Sequence, residues 1–329
     1  MKDYSDKELK KYADILKNGG IGIFPTDTVY GIGTNGLRSD AVKRLYEIKK
    51  RNLKNPINLL VDDIKMIEEI TQDISPLEYK LIKTFLPGPL TIILKKKNIV
   101  PNIVTAGSEF VGIRIPDNTV TRKLIDLSGV PIAAPSANIS GKLSGTNLID
   151  VLSDFSNNID FAINGEENNI GIESTIVRVI DEVPHILRPG FITPEQIKEI
   201  AENVIIENTK NSILPSSNMK HYEIDSKAIL VYSENNDKMV TKIRELSTQY
   251  KNPIILCCNE NSHLYSHKII TISSKNNLIE YSKNIFSTLR KASLLSPDCI
   301  IIEGVKQQGL GIAIMDRLLN VCNNNYIEL

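Results

Sequence analysis

The sequence has no tryptophan, only four histidines and four cysteines, no excess of charge of either sign and no long apolar run. Each shortage closes off a class of function. Lys and Arg together equal Asp and Glu at 39 each, so no global positive field favours coating of nucleic acid, and any anion site must be built locally. No apolar stretch reaches the roughly 18 residues of a membrane-spanning helix. The start, MKDYSDKELKKYADILKNGG, is charged rather than signal-like, so a soluble cytoplasmic protein with no membrane partner is expected. Cys257, Cys258, Cys299 and Cys322 lack C-x-x-C or zinc spacing, and the first two lie in the apolar run PIILCC, the pattern of buried free thiols in a reducing compartment. His185, His221, His263 and His267 show no metal spacing. No protein-held metal is expected, and no Ser/His/Asp or Cys/His arrangement points to a nucleophilic hydrolase.

What is present is a steady alternation of short apolar runs with amphipathic segments, the pattern of α/β layers. In the first half, KELKKYADILKNGG reads as a helix stopped at Gly19-Gly20, GIGIFP as a buried strand, SDAVKRLYEIKKR as a helix capped by Ser39 or Asp40, and INLLV as a second strand. Strands are expected at LTIILK, FVGIRIP, VPIAA and STIVRVI, and helices near 76–86, 119–128 and 194–202. Residues 206–226 are polar, carry Pro215 and a Ser-Ser-Asn run, and read as a linker. The alternation then restarts with AILVYS, a helix at 236–250, PIILCC, a helix around 278–294 and CIIIEG, giving a second, smaller α/β unit. The expected domains are thus 1–205, a linker at 206–226 and 227–329. At 329 residues the chain is long for one core and comfortable for two.

Two polar motifs about 85 residues apart mark the site. Lys49-x-Arg51 ends a charged helical stretch, and Ser136-x-Asn138 follows an apolar segment in IAAPSANISG. A guanidinium fork suits carboxylate and phosphate oxygens, while a hydroxyl and an amide suit neutral or developing polar atoms. Together they point to a large anionic ligand such as a nucleotide. Each alone has a plainer reading, as a basic helix end or a turn pair. Gly31-x-Gly33-x-x-Gly36 imitates a dinucleotide fingerprint, but PTDTVY intervenes between Phe24 and Gly31 where the fingerprint has its turn. Turn glycines, or a different ligand loop using Thr26, Thr28 and Tyr30, remain as alternatives. Gly107 to Gly112 continues Ile113-Arg114 and lacks the lysine and hydroxyl of a P-loop. Arg114 still brings a guanidinium to a strand end, where a surface salt bridge would be the plain alternative.

In order along the chain stand PTDTVYGIG (25–33), IKKRNLKNP (48–56), LPGPLTIIL (86–94), VTAG with VGIRIP, APSANISG (134–141), GIESTIV (171–177) and LRPG (187–190). This set resembles the YrdC/Sua5 family of threonylcarbamoyl-AMP synthases, and the unit ending GLGIAIMDRL resembles the extra domain of its longer, Sua5-type members. The resemblance implies a YrdC-like twisted mixed sheet with flanking helices, followed by a smaller Rossmann-like α/β domain. It implies a nucleotidyltransferase that converts L-threonine, bicarbonate and ATP to threonylcarbamoyl-adenylate and pyrophosphate, for N6-threonylcarbamoyladenosine at tRNA position 37. Magnesium is expected with the triphosphate, no organic cofactor is expected, and the product passes to a downstream threonylcarbamoyl-transferase machinery without a stable nucleic-acid complex.

Carried over residue by residue, the resemblance puts Thr28, Leu60, Arg114, Ala134 and Ser174 at the threonine, with Arg114 on its carboxylate. Arg51, Asn55, Phe110, Ser136, Ser144, Arg188 and Tyr222 fall at the ATP, and Lys49, Arg51, Ser136 and Asn138 form the catalytic signature. Lys49 and Asn138 are expected to steady the phosphates and the carbamoyl group. The chain departs from the family in three places. Leu60 stands where many members have His, and Phe110 stands where Thr is common, leaving a backbone contact. The linker reads SNMKHYEID with Asn218 for glycine and no proline after Tyr222. Residues 211–224 are expected to cover the site.

Overall fold

The computed structural model describes residues 4–155, 158–165, 169–207 and 222–329. The chain divides into two compact units, one of residues 1–140, 144–169 and 173–219, the other of 141–143, 170–172 and 220–329. Most of the expected linker, and with it most of the proposed cover, lies outside the described residues.

The first unit opens with α1 (Asp6–Lys17), begun by a reciprocal capping box between Ser5 and Glu8 and burying Leu9, Ala13 and Leu16 at helical spacing. After β1 (Gly22–Phe24) and β2 (Gly31–Asn35) comes α2 (Ser39–Lys49). The cap of α2 differs from the expectation. Arg38 is the N-cap residue and makes no side-chain cap bond, because Ser39 and Asp40 already lie inside the first turn and the Asp40 carboxylate is taken by Arg38 at 2.6 Å. The helix ends where Lys50 turns left-handed at φ 52°, which swings Arg51 out of the helix direction.

The unit continues through β3 (Leu59–Leu60), α3 (Ile64–Ile70), α4 (Pro76–Phe85), β4 (Leu90–Lys95), α5 (Asn102–Thr105), β5 (Phe110–Arg114), α6 (Thr119–Ser128), β6 (Ile132–Ala133), α7 (Leu148–Phe155), β7 (Phe161–Ala162), β8 (Thr175–Ile180), β9 (Val183–Arg188), α8 (Pro194–Lys198) and β10 (Ile205–Ile206). The strands form one mixed sheet in the order β10-β9-β8-β4-β5-β3-β6-β2-β1-β7. Pairs such as β4 with β5 run antiparallel, and β3 with β5 runs parallel. The expected helix at 194–202 stops at Lys198, and the strand expected in VPIAA is only two residues long.

Gly31 and Gly33 sit inside β2, not in a turn and not in a phosphate loop. A side chain at Gly33 would stand 2.7 Å from Ile132 Cγ2 and 3.0 Å from the Ala133 carbonyl oxygen. Glycine is required there by the close approach of β2 to β6. Both the dinucleotide reading and the turn reading of these two glycines therefore fail.

The second unit is a parallel sheet of β11 (Lys227–Tyr232), β12 (Pro253–Cys257), β13 (Lys268–Thr271), β14 (Cys299–Glu303) and β15 (Tyr326–Glu328), in the order β13-β12-β14-β11-β15. Its helices are α9 (Asn236–Ser247), α10 (Leu278–Ser293) and α11 (Leu310–Val321). β12 and β14 are buried at every residue, which is why PIILC and CIIIE read as unbroken apolar runs rather than alternating ones. Segment 141–143 joins this unit through the Arg290 guanidinium, which donates to the Leu143 carbonyl at 3.1 Å. No helix among the described residues is long and apolar enough to cross a membrane.

Candidate active site

Most of the predicted polar residues of the first unit meet where loops leave the middle of its sheet. The link between β2 and the loop after β6 is made by backbone. Ile32 N donates to the Pro135 carbonyl at 3.1 Å, and Ala137 N donates to the Tyr30 carbonyl at 2.7 Å. Ser136 pairs with Gly31 as an isolated antiparallel bridge. In this way the PTDTVY loop and the PSAN loop, more than a hundred residues apart in sequence, become neighbours.

Lys49 is the centre of this junction. Its side chain is 1% exposed, and Nζ donates to the Ser136 and Asn138 carbonyls, each at 2.5 Å. The lysine therefore holds the Ser136–Asn138 turn from within, through contacts that the expectation of phosphate binding did not include. Burial pushes its ammonium well below the ordinary lysine value, helped by the nearby charge of Arg51 and opposed by Asp154. On the other side of the turn, Ser136 Oγ donates to Asn138 Oδ1 at 2.5 Å, and Asn138 Nδ2 donates to the Ile139 carbonyl at 3.0 Å. Arg51, half-buried, lays Nε on the Asn55 carbonyl at 3.2 Å and one terminal nitrogen on the Pro56 carbonyl at 2.9 Å. Asn55 is also held by the Tyr46 hydroxyl, which donates to its carbonyl at 2.7 Å. Burial lowers the Arg51 value, yet a guanidinium stays charged. The Tyr46 hydroxyl also bonds the guanidinium, and the donors that remain are available to an anion.

A second cluster is built around Arg114, the last residue of β5, which is 6% exposed. Its Nε donates to the Gly88 carbonyl at 3.1 Å, one terminal nitrogen donates to Thr28 Oγ1 at 2.8 Å, and the other meets Asp27 Oδ1 in a short ion pair. The surface-arginine alternative fails because both partners of this pair are buried. Leu60 is placed beside Arg114 by the parallel register of β3 and β5, and Ala134 N donates to the Asn58 carbonyl at 3.0 Å. Ser174 Oγ shares a hydrogen bond with Thr91 Oγ1 at 2.7 Å, and Arg188 donates to the Ser174 carbonyl at 2.7 Å. Ser144 Oγ donates to Glu173 Oε1 at 2.6 Å.

Phe110 stands apart from these clusters. It opens the strand that Arg114 closes, about 13 Å away at the usual strand rise, and the Arg178 guanidinium lies 3.9 Å over its ring. Tyr222 belongs to the second unit, where its ring stacks on Phe286 at 5.0 Å. Asp27, Thr91 and Glu173 were missed by sequence reasoning. Asp27 and Glu173 had a signal, since they lie inside PTDTVYGIG and GIESTIV; Thr91 in LTIILK had none beyond strand alternation. Among the described residues no group of three His, Cys, Asp or Glu could hold a metal ion.

Residues 14–190 match the family of Sua5, YciO and YrdC described as telomere recombination, and residues 192–320 match the threonylcarbamoyl-AMP synthase C-terminal domain. The chain belongs to the YrdC/Sua5 family. Among curated relatives, the threonylcarbamoyl-AMP synthase of Pyrococcus abyssi is 35% identical over 98% of this chain and 96% of its own length. That of Bacillus subtilis is 34% identical over 98% and 95%. A crystal structure of P. abyssi Sua5 complexed with L-threonine aligns with a TM-score of 0.93 and 33% identity, over 100% of this chain and 98% of that one. This chain is therefore a Sua5-type member, with the Sua5 C-terminal domain as its parallel-sheet unit.

Proposed function

We propose that this Sua5 protein is a threonylcarbamoyl-AMP synthase: L-threonine, bicarbonate and ATP give threonylcarbamoyl-adenylate, pyrophosphate and water. The observation that carries the reading is full-length similarity to enzymes of that name, combined with a buried Arg114–Thr28 pair suited to an amino-acid carboxylate. The threonine amine adds carbon dioxide to form a carbamate. A carbamate oxygen then attacks the α-phosphorus as pyrophosphate leaves. The carbamate is already anionic, so the site supplies position and charge neutralisation rather than a strong base. The remaining donors of Arg51 serve the triphosphate, and Ser136 with Asn138 forms a turn that Lys49 keeps rigid.

Asn55, Ser144 and Arg188 complete the nucleotide side in this reading, with Phe110 contributing backbone. Thr28, Ala134, Ser174 and Leu60 line the threonine side. Magnesium enters as part of the nucleotide substrate, held by phosphate and water. The mixed anhydride is labile in water and passes to a threonylcarbamoyl transferase acting on tRNA, in the cytoplasm. The test is pyrophosphate release by the purified chain. Release is expected only with threonine, bicarbonate and ATP all present; release without threonine or without bicarbonate refutes the reading.

A further inference from the structure

Asp27 is 9% exposed, and its two carboxylate oxygens have different surroundings. Oδ1 accepts from the Arg114 guanidinium and, at 3.1 Å, from the backbone N of Asp117. Oδ2 is buried and has no hydrogen-bond partner among the described residues. A buried carboxylate oxygen left unpaired is destabilising, and the two bonds on Oδ1 prevent the group from turning to relieve it. Beside it, Arg114 uses three of its five N–H donors on Gly88, Thr28 and Asp27. A guanidinium with two donors to spare thus adjoins a fixed carboxylate oxygen with nothing to accept. That pairing complements a zwitterion, whose carboxylate needs donors and whose ammonium needs an acceptor.

We propose that Asp27 is a specificity-determining residue of the amino-acid subsite: Oδ1 positions Arg114, and Oδ2 accepts a hydrogen bond from the α-amino group of the bound threonine. The assignment rests on the function proposed above. It makes the site selective for a free primary α-amine, because an α-carboxylate alone satisfies Arg114 and leaves Oδ2 unpaired. Once the amine has become a carbamate it carries no positive charge, so the contact weakens as the product forms.

The experiment compares binding of L-threonine and 3-hydroxybutanoate, which has the same carbon skeleton without the amine, to the full chain by calorimetry. The wild type should prefer threonine by about 30-fold or more, the scale of one charge-assisted contact. Asp27→Asn, which turns an acceptor into a donor facing the ammonium, should cut that ratio to about threefold by losing threonine affinity alone. Arg114→Gln should weaken both ligands together. Equal loss of both ligands in Asp27→Asn, with threonine-dependent pyrophosphate release intact in the wild type, overturns the Asp27 assignment and leaves the function standing. A wild type that binds the two ligands equally overturns it without any variant, and one that binds no threonine overturns both readings.

Discussion

Replacing Lys49 with methionine separates a lysine that holds a turn from one that holds phosphate. The substitution keeps most of the side-chain length and removes Nζ, which donates at 2.5 Å to the carbonyls of Ser136 and Asn138. The Ser136 carbonyl still accepts from the backbone N of Asn138 at 3.0 Å, so the loss is of two donated bonds rather than of every partner, about 0.5–1.5 kcal/mol each and about 1–3 kcal/mol for the pair. Relief from burying an ammonium offsets part of this, and a net loss of about 1–2 kcal/mol is expected. For a folding unit of this size each kcal/mol moves Tm by about 2–4 °C, which gives a drop of about 2–8 °C. Scanning calorimetry of the full chain, with and without ATP, measures it. An unchanged Tm together with ATP affinity reduced more than about tenfold would refute the argument, since the ammonium would then act on the nucleotide and not on the turn. The same variant has a pH signature. Burial holds the Lys49 value well below 10.5, so between that lowered value and 10.5 the unfolded chain binds more protons than the folded one. Stability contributed at this site therefore rises with pH across the window. The neutral amine still donates to both carbonyls. The gap in Tm between wild type and Lys49→Met should widen from pH 7 to pH 10; a constant gap contradicts the assignment.

Arg51→Ala should lower the rate of pyrophosphate release by roughly 30- to 1000-fold, about 2–4 kcal/mol of transition-state stabilisation. Arg51→Lys should recover only part of it, because the fork is lost; near-normal turnover in Arg51→Ala at saturating ATP would remove Arg51 from the site. Ser136→Ala should weaken ATP binding with little change in melting, whereas unchanged affinity and a lower Tm would make the 2.5 Å bond to Asn138 purely structural. Burial pushes the Cys257 thiol up to about 12, and partial burial takes Cys258 to about 11, so a disulfide reagent at pH 8 should react with them slowly in the native chain and fast in denaturant; rapid native labelling of Cys257 would contradict its burial.

Sequence alone determined the α/β character of both halves, because burial on both faces of a strand demands runs such as PIILC and CIIIE, and amphipathic helices announce themselves by spacing. It also offered candidate residues for the site, since Thr28, Arg51, Arg114, Ser136 and Ser174 lie in ordered strings that resemble one family. What each of them touches was decided only in three dimensions. The register that brings Leu60 beside Arg114, the bridge between Gly31 and Ser136 and the anchoring of Lys49 on carbonyls nearly ninety residues away are long-range pairings that no local pattern encodes. The glycines of β2 show the limit most plainly. Their spacing imitates a phosphate loop, yet Gly33 is fixed by the little room that Ile132 and Ala133 leave on a neighbouring strand, and Gly31 faces the Phe24 ring of β1. Asp27 was legible as a letter of PTDTVYGIG but not as a partner, because an ion pair with Arg114 exists only once the β1–β2 loop and the end of β5 are folded against each other.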